Sequence, residues 1–212
     1  MRILVACEES QAVTIELRKR GHIAYSCDIL PCSGGHPEWH IQGDVLPLLK
    51  EKWDMIIAFP PCTFLTRAGA CNIPRNPNRI NRGFDATKFF MAIWNTDCPR
   101  IAIENPIPMK RFNLPLATQI IYPYEYGHEA IKPTCLWLKN LPNLKPTKIL
   151  NRNCVERYTY VSNGRKFTGT AWYYLIKGNK SIERSKTFPG IAAAMAEQWT
   201  KEEFDCIQLS FL

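Results

Sequence analysis

The hydrophobic positions of the chain fall into short apolar runs separated by amphipathic stretches. Residues 2–7 are apolar almost throughout, the pattern of a strand covered on both faces, and an amphipathic helix is expected to follow through about residue 20. Gly21 sits where a C-cap would close that helix. Residues 23–28 predict a second strand ending in an acid, and Ile41-Gln42 a short strand leading into Gly43-Asp44. A helix over 45–51 and a strand over 54–59, apolar on both faces, come next. Residues 67–83 carry Asn, Pro, Arg and Gly with little periodicity and predict a loop; a helix near 84–96 then precedes a fifth strand, 100–103. Residues 135–138 predict another strand. Residues 145–186 are polar, aromatic and basic, with turn signals at Asn163-Gly164 and Gly178-Asn179, and predict an irregular β-hairpin insertion. A closing helix is expected over 190–204, where Ala192, Ala193, Ala194 and Ala196 permit close packing. Strands and helices in alternation imply an α/β fold with a mostly parallel sheet flanked by helices. The expected organisation is an α/β domain over 1–144, a short basic and aromatic insertion over 145–186, and a return to the first domain over 187–212.

Composition narrows the class. A chain of 212 residues, 46% hydrophobic and 22% charged, is long enough to bury a core as one medium domain. No run approaches the roughly 18 apolar residues of a transmembrane span. The first strand begins at once and is cut short by Glu8 and Glu9, which is not the pattern of a signal peptide. Nine cysteines without any C-x-x-C pair argue against a zinc site of the paired kind and for reduced thiols in a cytoplasm. The formal charge of +8 suits a polyanionic partner. Arg67, Arg75, Arg79 and Arg82 crowd one loop; Lys177, Lys180, Arg184 and Lys186 crowd another.

Two of the apolar runs deliver reactive side chains at their carboxyl ends, which is where open α/β sheets build their sites. The first ends in Phe59-Pro60-Pro61-Cys62 and the second in Glu104-Asn105-Pro106. Successive prolines fix the backbone and offer no N–H, so the Cys62 thiol is expected to be rigidly held. Its activation needs an electropositive, partly exposed setting, and Arg67 is near in sequence. Glu104 is expected to be partly buried with a raised pKa, and Asn105 to position it. A thiol nucleophile beside such an acid can attack and polarise an electron-poor ring. Cys7, Cys27, Cys71, Cys98 and Cys206 read as small core residues.

Pro60-Pro61-Cys62 and Glu104-Asn105, in that order on adjacent strands, resemble the motif pair of the DNA cytosine-5 methyltransferases. Asp28, followed by Ile29, looks like the acid on a cofactor ribose. Gly43-Asp44-Val45 looks like the segment that contacts the adenine amino group. Phe188-Pro189-Gly190-Ile191-Ala192 resembles the closing glycine motif. The likeness is nearest to short, phage-type members, through Lys132-Pro133-Thr134-Cys135-Leu136-Trp137-Leu138 and residues 189–199. The resemblance implies a Rossmann-like class I methyltransferase fold that uses S-adenosylmethionine and modifies C5 of cytosine in DNA, most simply double-stranded, after flipping the base. It assigns Cys62 as nucleophile and Glu104 as acid with Asn105 beside it. Cys7, Glu8, Asp28, Ile29, Asp44, Val45, Pro60, Gly190 and Ile191 fall to the cofactor. Arg67, Arg75, Arg79, Arg82, Lys132 and Lys186 fall to nucleic acid. The chain departs from the family at its first motif, Ala6-Cys7-Glu8-Glu9-Ser10-Gln11, which lacks glycine, and Lys132 stands in for an arginine-rich strand.

Other readings stay open. One is an amino-group methyltransferase, disfavoured because Phe59 rather than Asp or Asn precedes the prolines. Another is a degenerate fold kept as a nucleic-acid-binding decoy, and a third an enzyme acting on RNA or a free nucleotide. Tyr158, Tyr160, Trp172, Tyr173 and Tyr174 suit base stacking or packing equally. His36 and His40, four apart, suit a metal only on a helix, which Gly34, Gly35 and Pro37 oppose.

Overall fold

The computed structural model describes residues 1–66, 73–74, 76–162, 164–175 and 180–201. Seven strands make its central sheet: β1 (Arg2–Ala6), β2 (Ile23–Asp28), β3 (His40–Gln42), β4 (Met55–Ala58), β5 (Ile101–Pro106), β6 (Gln119–Ile121) and β7 (Thr134–Lys139). Their spatial order is β3-β2-β1-β4-β5-β7-β6. β1 pairs in parallel with β2 and β4, β3 with β2, and β5 with β4. β7 runs antiparallel between β5 and β6. The order reverses where β1 meets β4, so a crevice opens at the carboxyl ends of those strands. This is a Rossmann-like α/β fold.

Alternation along each strand sorts the core into two layers. Ile3 and Val5 of β1, Met55 and Ile57 of β4, and Leu136 of β7 share one cluster with Val13 and Leu17 of α1 (Ala12–Lys19). Leu4, Ala6, Ile56, Ala58, Ile101, Ile103 and Trp137 face the other way, onto Phe90 and Ile93 of α2 (Asn78–Trp94). Both faces are buried, which is why the strand sequences read as continuous apolar runs.

Several boundaries differ from the sequence reading. The helix expected over 45–51 is a single 3-10 turn, Leu48–Lys50, because Pro47 supplies no N–H and too few residues remain to nucleate an α-helix. α2 starts at Asn78, inside the expected loop. Gly83 disguised it: a Cβ there would lie 2.1 Å from the Phe112 ring, so tertiary packing demands a residue that helix propensity disfavours. β5 extends to Pro106 because β7 supplies partners for Glu104, Asn105 and Pro106. β6, three residues at the sheet edge, gave no signal.

β8 (Arg157–Ser162) and β9 (Arg165–Thr170) form a separate two-stranded sheet. Gly164, at φ 70°, serves its turn; Asn163 and Gly178-Asn179 lie outside the described residues. After α3 (Ala171–Leu175) and α4 (Lys180–Ser185), α5 (Pro189–Gln198) packs Ala192, Ala194 and Ala196 into the α1 side of the core. The helical reading of 199–201 fails, and 202–204 lie outside the described residues. Among the described residues no helix is long and apolar enough to cross a membrane.

Candidate functional site

Parallel pairing brings the carboxyl ends of five strands to one edge of the sheet. In order they carry Asp44 just past β3, Asp28, Cys7, Cys62 and Glu104. The last ladder bond toward Cys62 runs from the Phe59 N–H to the Ala6 carbonyl, 2.9 Å. Beyond it the two prolines have no donors, and a side chain takes over: Asn105, 1% exposed, donates Nδ2 to the Pro60 carbonyl at 2.8 Å. Its Oδ1 is buried without a partner. The Cys62 carbonyl accepts from Leu65 and Thr66 N–H at 3.0 and 3.2 Å, which folds a turn after the thiol. Thr66 bridges to Pro108, and the Met109 N–H donates to the Leu65 carbonyl at 2.7 Å. The thiol loop is thus fastened to the segment following β5.

Cys62 is part-buried and feels the charge of Glu104. Burial raises the Cys62 pKa first, the Glu104 carboxylate adds to the rise, and Lys132 opposes both. Burial likewise raises Glu104, against Lys132 and a hydrogen bond from Thr134. Burial thus shifts both groups toward their neutral forms, and Lys132 opposes both shifts. Lys132 is itself held by donating Nζ to the Arg184 carbonyl at 3.3 Å. The cation that reaches the thiol among the described residues is therefore on the approach to β7. Arg67, together with Arg75, Cys71, Lys177 and Cys206, lies outside the described residues. The sequence names Thr134 only within the Lys132–Leu138 stretch and gives it no role; its place beside Glu104 comes from the antiparallel pairing of β7 with β5.

The β1–α1 turn closes without glycine by another route. Cys7 and Gln11 adopt left-handed conformations at φ 59° and 57°. The glycine is supplied from across the turn: a Cβ on Gly34 would lie 2.6 Å from both Gln11 Cβ and the Ser10 carbonyl. The Gln11 side chain exchanges hydrogen bonds with the His36 backbone at 2.8 and 3.1 Å. Glu8, 3% exposed, is committed to α1. Its carboxylate accepts from Val13 N–H at 2.7 Å, Thr14 N–H at 3.3 Å and Thr14 Oγ1 at 2.7 Å, satisfying the helix start. Burial nevertheless raises its pKa to about 7. The adjacent carboxylate is different: Glu9 Oε1 is buried with no partner.

Asp28 accepts from the Leu30 N–H at 2.9 Å and Asp44 from the Leu46 N–H at 3.0 Å, each through Oδ1. The negative charges of both, after burial, raise the Cys7 and Cys27 thiols, the latter to about 11. Ile29 is 74% exposed beside Asp28, whereas Val45 and Pro60 are buried. Ile191 is a core residue, 3% exposed. Gly190 is explained by packing: its N–H donates to His128 Nε2 at 2.8 Å, and a Cβ would lie 2.1 Å from the Tyr126 carbonyl.

The basic residues divide. Arg79 donates to the Thr63 carbonyl at 3.0 Å, and the Arg79 and Arg82 guanidinia lie 4.8 and 4.1 Å from the Phe64 ring centre, beside the thiol turn. Lys186 is paired with Glu183 at 2.7 Å. His40 is engaged by Ser26 and the Leu30 carbonyl, and His36 stacks on Trp39 at 3.9 Å. Among the described residues no three His, Cys, Asp or Glu side chains gather as metal ligands. A surface groove lined by Arg18, His22, His36 and Trp39 lies toward the amino end of β2, not at the Cys62 edge.

No protein-family profile and no curated protein sequence matches the chain. Among solved structures, an rRNA methylase from Escherichia coli is similar over 65% of this chain and 56% of its own, at 16% identity and a TM-score of 0.34. The class defined by the strand order is Rossmann-like α/β; what it does is argued from the site.

Proposed function

We propose that the chain transfers a methyl group from S-adenosylmethionine to C5 of cytosine in DNA, with Cys62 as nucleophile and Glu104 as acid. The observation that carries this reading is the placement of Cys62 and Glu104 at the carboxyl edge of the neighbouring strands β4 and β5, with the two segments tied by the Asn105–Pro60 hydrogen bond and Glu104 close enough to act on the thiol. Cys62, giving its proton to a base from solvent, adds through sulfur to C6 of the pyrimidine. The ring's electrons shift toward N3, where neutral Glu104 donates its proton. C5 becomes nucleophilic and takes the methyl group, leaving a neutral thioether. Loss of the C5 proton to a base from solvent then restores the ring and expels the Cys62 thiolate, and the N3 proton returns to Glu104. Lys132 offsets negative charge on both groups, Thr134 orients the Glu104 carboxyl, and Asn105 fixes the thiol loop against β5.

The donor set at the edge fits the cofactor. Asp28 retains a second carboxylate oxygen for a ribose diol, exposed Ile29 offers a flat apolar surface, and Asp44 suits an amino group. Glu9, with its unpartnered buried oxygen, suits the ammonium better than Glu8, whose oxygens are spent on α1. When bound, S-adenosylmethionine supplies an electrophilic methyl group on its sulfonium.

The test is covalent trapping with DNA containing 5-fluorocytosine, in which fluorine blocks loss of the C5 substituent. A denaturation-stable adduct that Cys62→Ala abolishes is expected; no adduct, or one that survives Cys62→Ala, removes the assignment. Calorimetry with S-adenosylmethionine reads the cofactor end separately. Glu9→Gln is expected to weaken binding by about tenfold, the scale of one charge-assisted hydrogen bond. Glu8→Gln should leave affinity within about threefold. A wild-type chain that binds no cofactor favours the decoy reading instead, to which the glycine-free turn belongs.

A further inference from the structure

We propose that the β8–β9 hairpin is a stacking platform for unpaired bases, so that the nucleic acid brought to Cys62 is single-stranded; this rests on the reading of that edge as a pyrimidine site. Antiparallel register puts Tyr158, Tyr160 and Phe167 on one face, with Tyr160 directly opposite Phe167. Their rings are nearly parallel: Tyr160 and Phe167 stand 5.2 Å apart at 18°, and Tyr158 and Tyr160 6.5 Å apart at 29°. Aromatic side chains of a hairpin packed on a core would be covered. Here they remain 39%, 36% and 41% exposed, in sequence order.

The platform is braced from one flank. Tyr174 of α3 packs on Tyr158 at 5.5 Å and Tyr160 at 5.1 Å. It fits because Gly169 has no side chain, a Cβ there lying 2.7 Å from the Tyr174 ring. Ring order is therefore imposed before any ligand arrives, and the open flank is what remains for one. The charge of the hairpin indicates which ligand. Residues 157–170 contain Arg157, Arg165 and Lys166 and no carboxylate, and all three cations are exposed; the register puts Arg165 on the face of the rings and Arg157 and Lys166 on the other. Half-exposed parallel rings with one cation on their own face, on a hairpin that carries no negative charge, complement a base-bearing polyanion. Bases inside a duplex are already stacked on each other and cannot use such a surface; bases of a single strand can. The helices that follow the hairpin are tied to the α/β domain: the Trp172 ring of α3 packs on Phe188 at 4.7 Å, and Lys132 donates to the Arg184 carbonyl of α4 at 3.3 Å.

The test titrates the full chain into a fluorescein-labelled 20-nucleotide oligonucleotide of mixed sequence, as single strand and as duplex, at constant salt. The single strand is expected to bind at least about tenfold more tightly than the duplex. The Tyr160→Leu/Phe167→Leu double variant, which keeps an apolar face, is expected to lose about tenfold or more for the single strand only. A Tyr160→Trp variant guards against misfolding: the added fluorescence should be quenched by single strand and not by duplex. Equal or tighter duplex binding, an unaffected double variant, or no quenching overturns the platform; a protein occupying that face instead would give such a result. Trapping at Cys62 keeps the two readings apart. An adduct formed equally on duplex, double variant included, overturns the platform and leaves the chemistry. Hairpin-dependent single-strand binding without any adduct upholds the platform and removes the chemistry.

Discussion

Among the described residues one cation, Lys132, opposes the effect of burial on two acids at the sheet edge. Cys62 and Glu104 are both pushed toward their neutral forms by burial, Cys62 is pushed further by the Glu104 charge, and Lys132 works against both shifts. Removing the carboxylate must therefore lower the thiol's pKa, and removing the cation must raise it. Site-resolved alkylation of Cys62 by iodoacetamide at pH 8 is expected to be about threefold or more faster in Glu104→Gln and correspondingly slower in Lys132→Met, since each pKa unit is worth about tenfold in thiolate at that pH. Equal rates in all three proteins would mean the groups do not sense each other. In Glu104→Gln the thiol is expected to gain reactivity while the proposed methyl transfer is lost, a combination that mere misfolding does not give. The pair itself was legible in the sequence because each member ends an apolar run. What escaped was the support, Thr134 on β7, since antiparallel pairing across 28 or more residues leaves no local trace.

The β1–α1 turn shows how an element can keep its form with other residues. Without glycine before Gly21, the sequence indicated a turn closed differently but not by what means. The means are distant: two left-handed non-glycine residues, a glycine on the opposite loop, and Glu8 beneath the helix start. Glu8 has a measurable signature. Its folded pKa of about 7 lies above the ordinary 4.5, so the folded chain holds a proton that the unfolded chain has lost between those values. Its contribution is full below about pH 4.5, declines as pH rises to about 7, and is constant beyond. Stability curves for wild type and Glu8→Gln are expected to diverge across that window; parallel curves would show that the carboxyl is not buried as described.

At the start of α5 the sign reverses. His128 accepts a hydrogen bond from the Gly190 N–H, which requires a neutral Nε2, and burial followed by the Lys148 charge lowers its pKa below 6.5. That contact is full above about pH 6.5 and lost as pH falls through the depressed value. Gly190→Ala drives a methyl group into the Tyr126 carbonyl and is expected to cost about 2 kcal/mol, read as a lowered denaturant midpoint. A variant as stable as wild type would instead leave Gly190 available for the role in cofactor binding that the motif resemblance gives it. Elements were easiest to read where burial on both faces made the strands apolar. They were hardest where tertiary contacts overrode propensity, as at Gly83 in α2, or where three residues made a whole strand, as in β6.

Across the whole molecule, one layer of core is shared by the two ends of the described chain. Val13 and Leu17 of α1 lie in the same cluster as Ile191, Ala192 and Met195 of α5, the two helices packing on each other over residues of β1 and β4. The architecture could be inferred from alternating patterns, but this closure could be read only as small residues awaiting a partner. It has a temporal consequence. During synthesis, β1 and α1 leave the ribosome well before α5 exists, so their apolar face stays bare while almost all the intervening chain is made. The nascent protein is most exposed to misassociation in that interval, and final burial is a late, long-range event. Chaperone dependence should accordingly concentrate on the nascent N-terminal third rather than on the finished molecule.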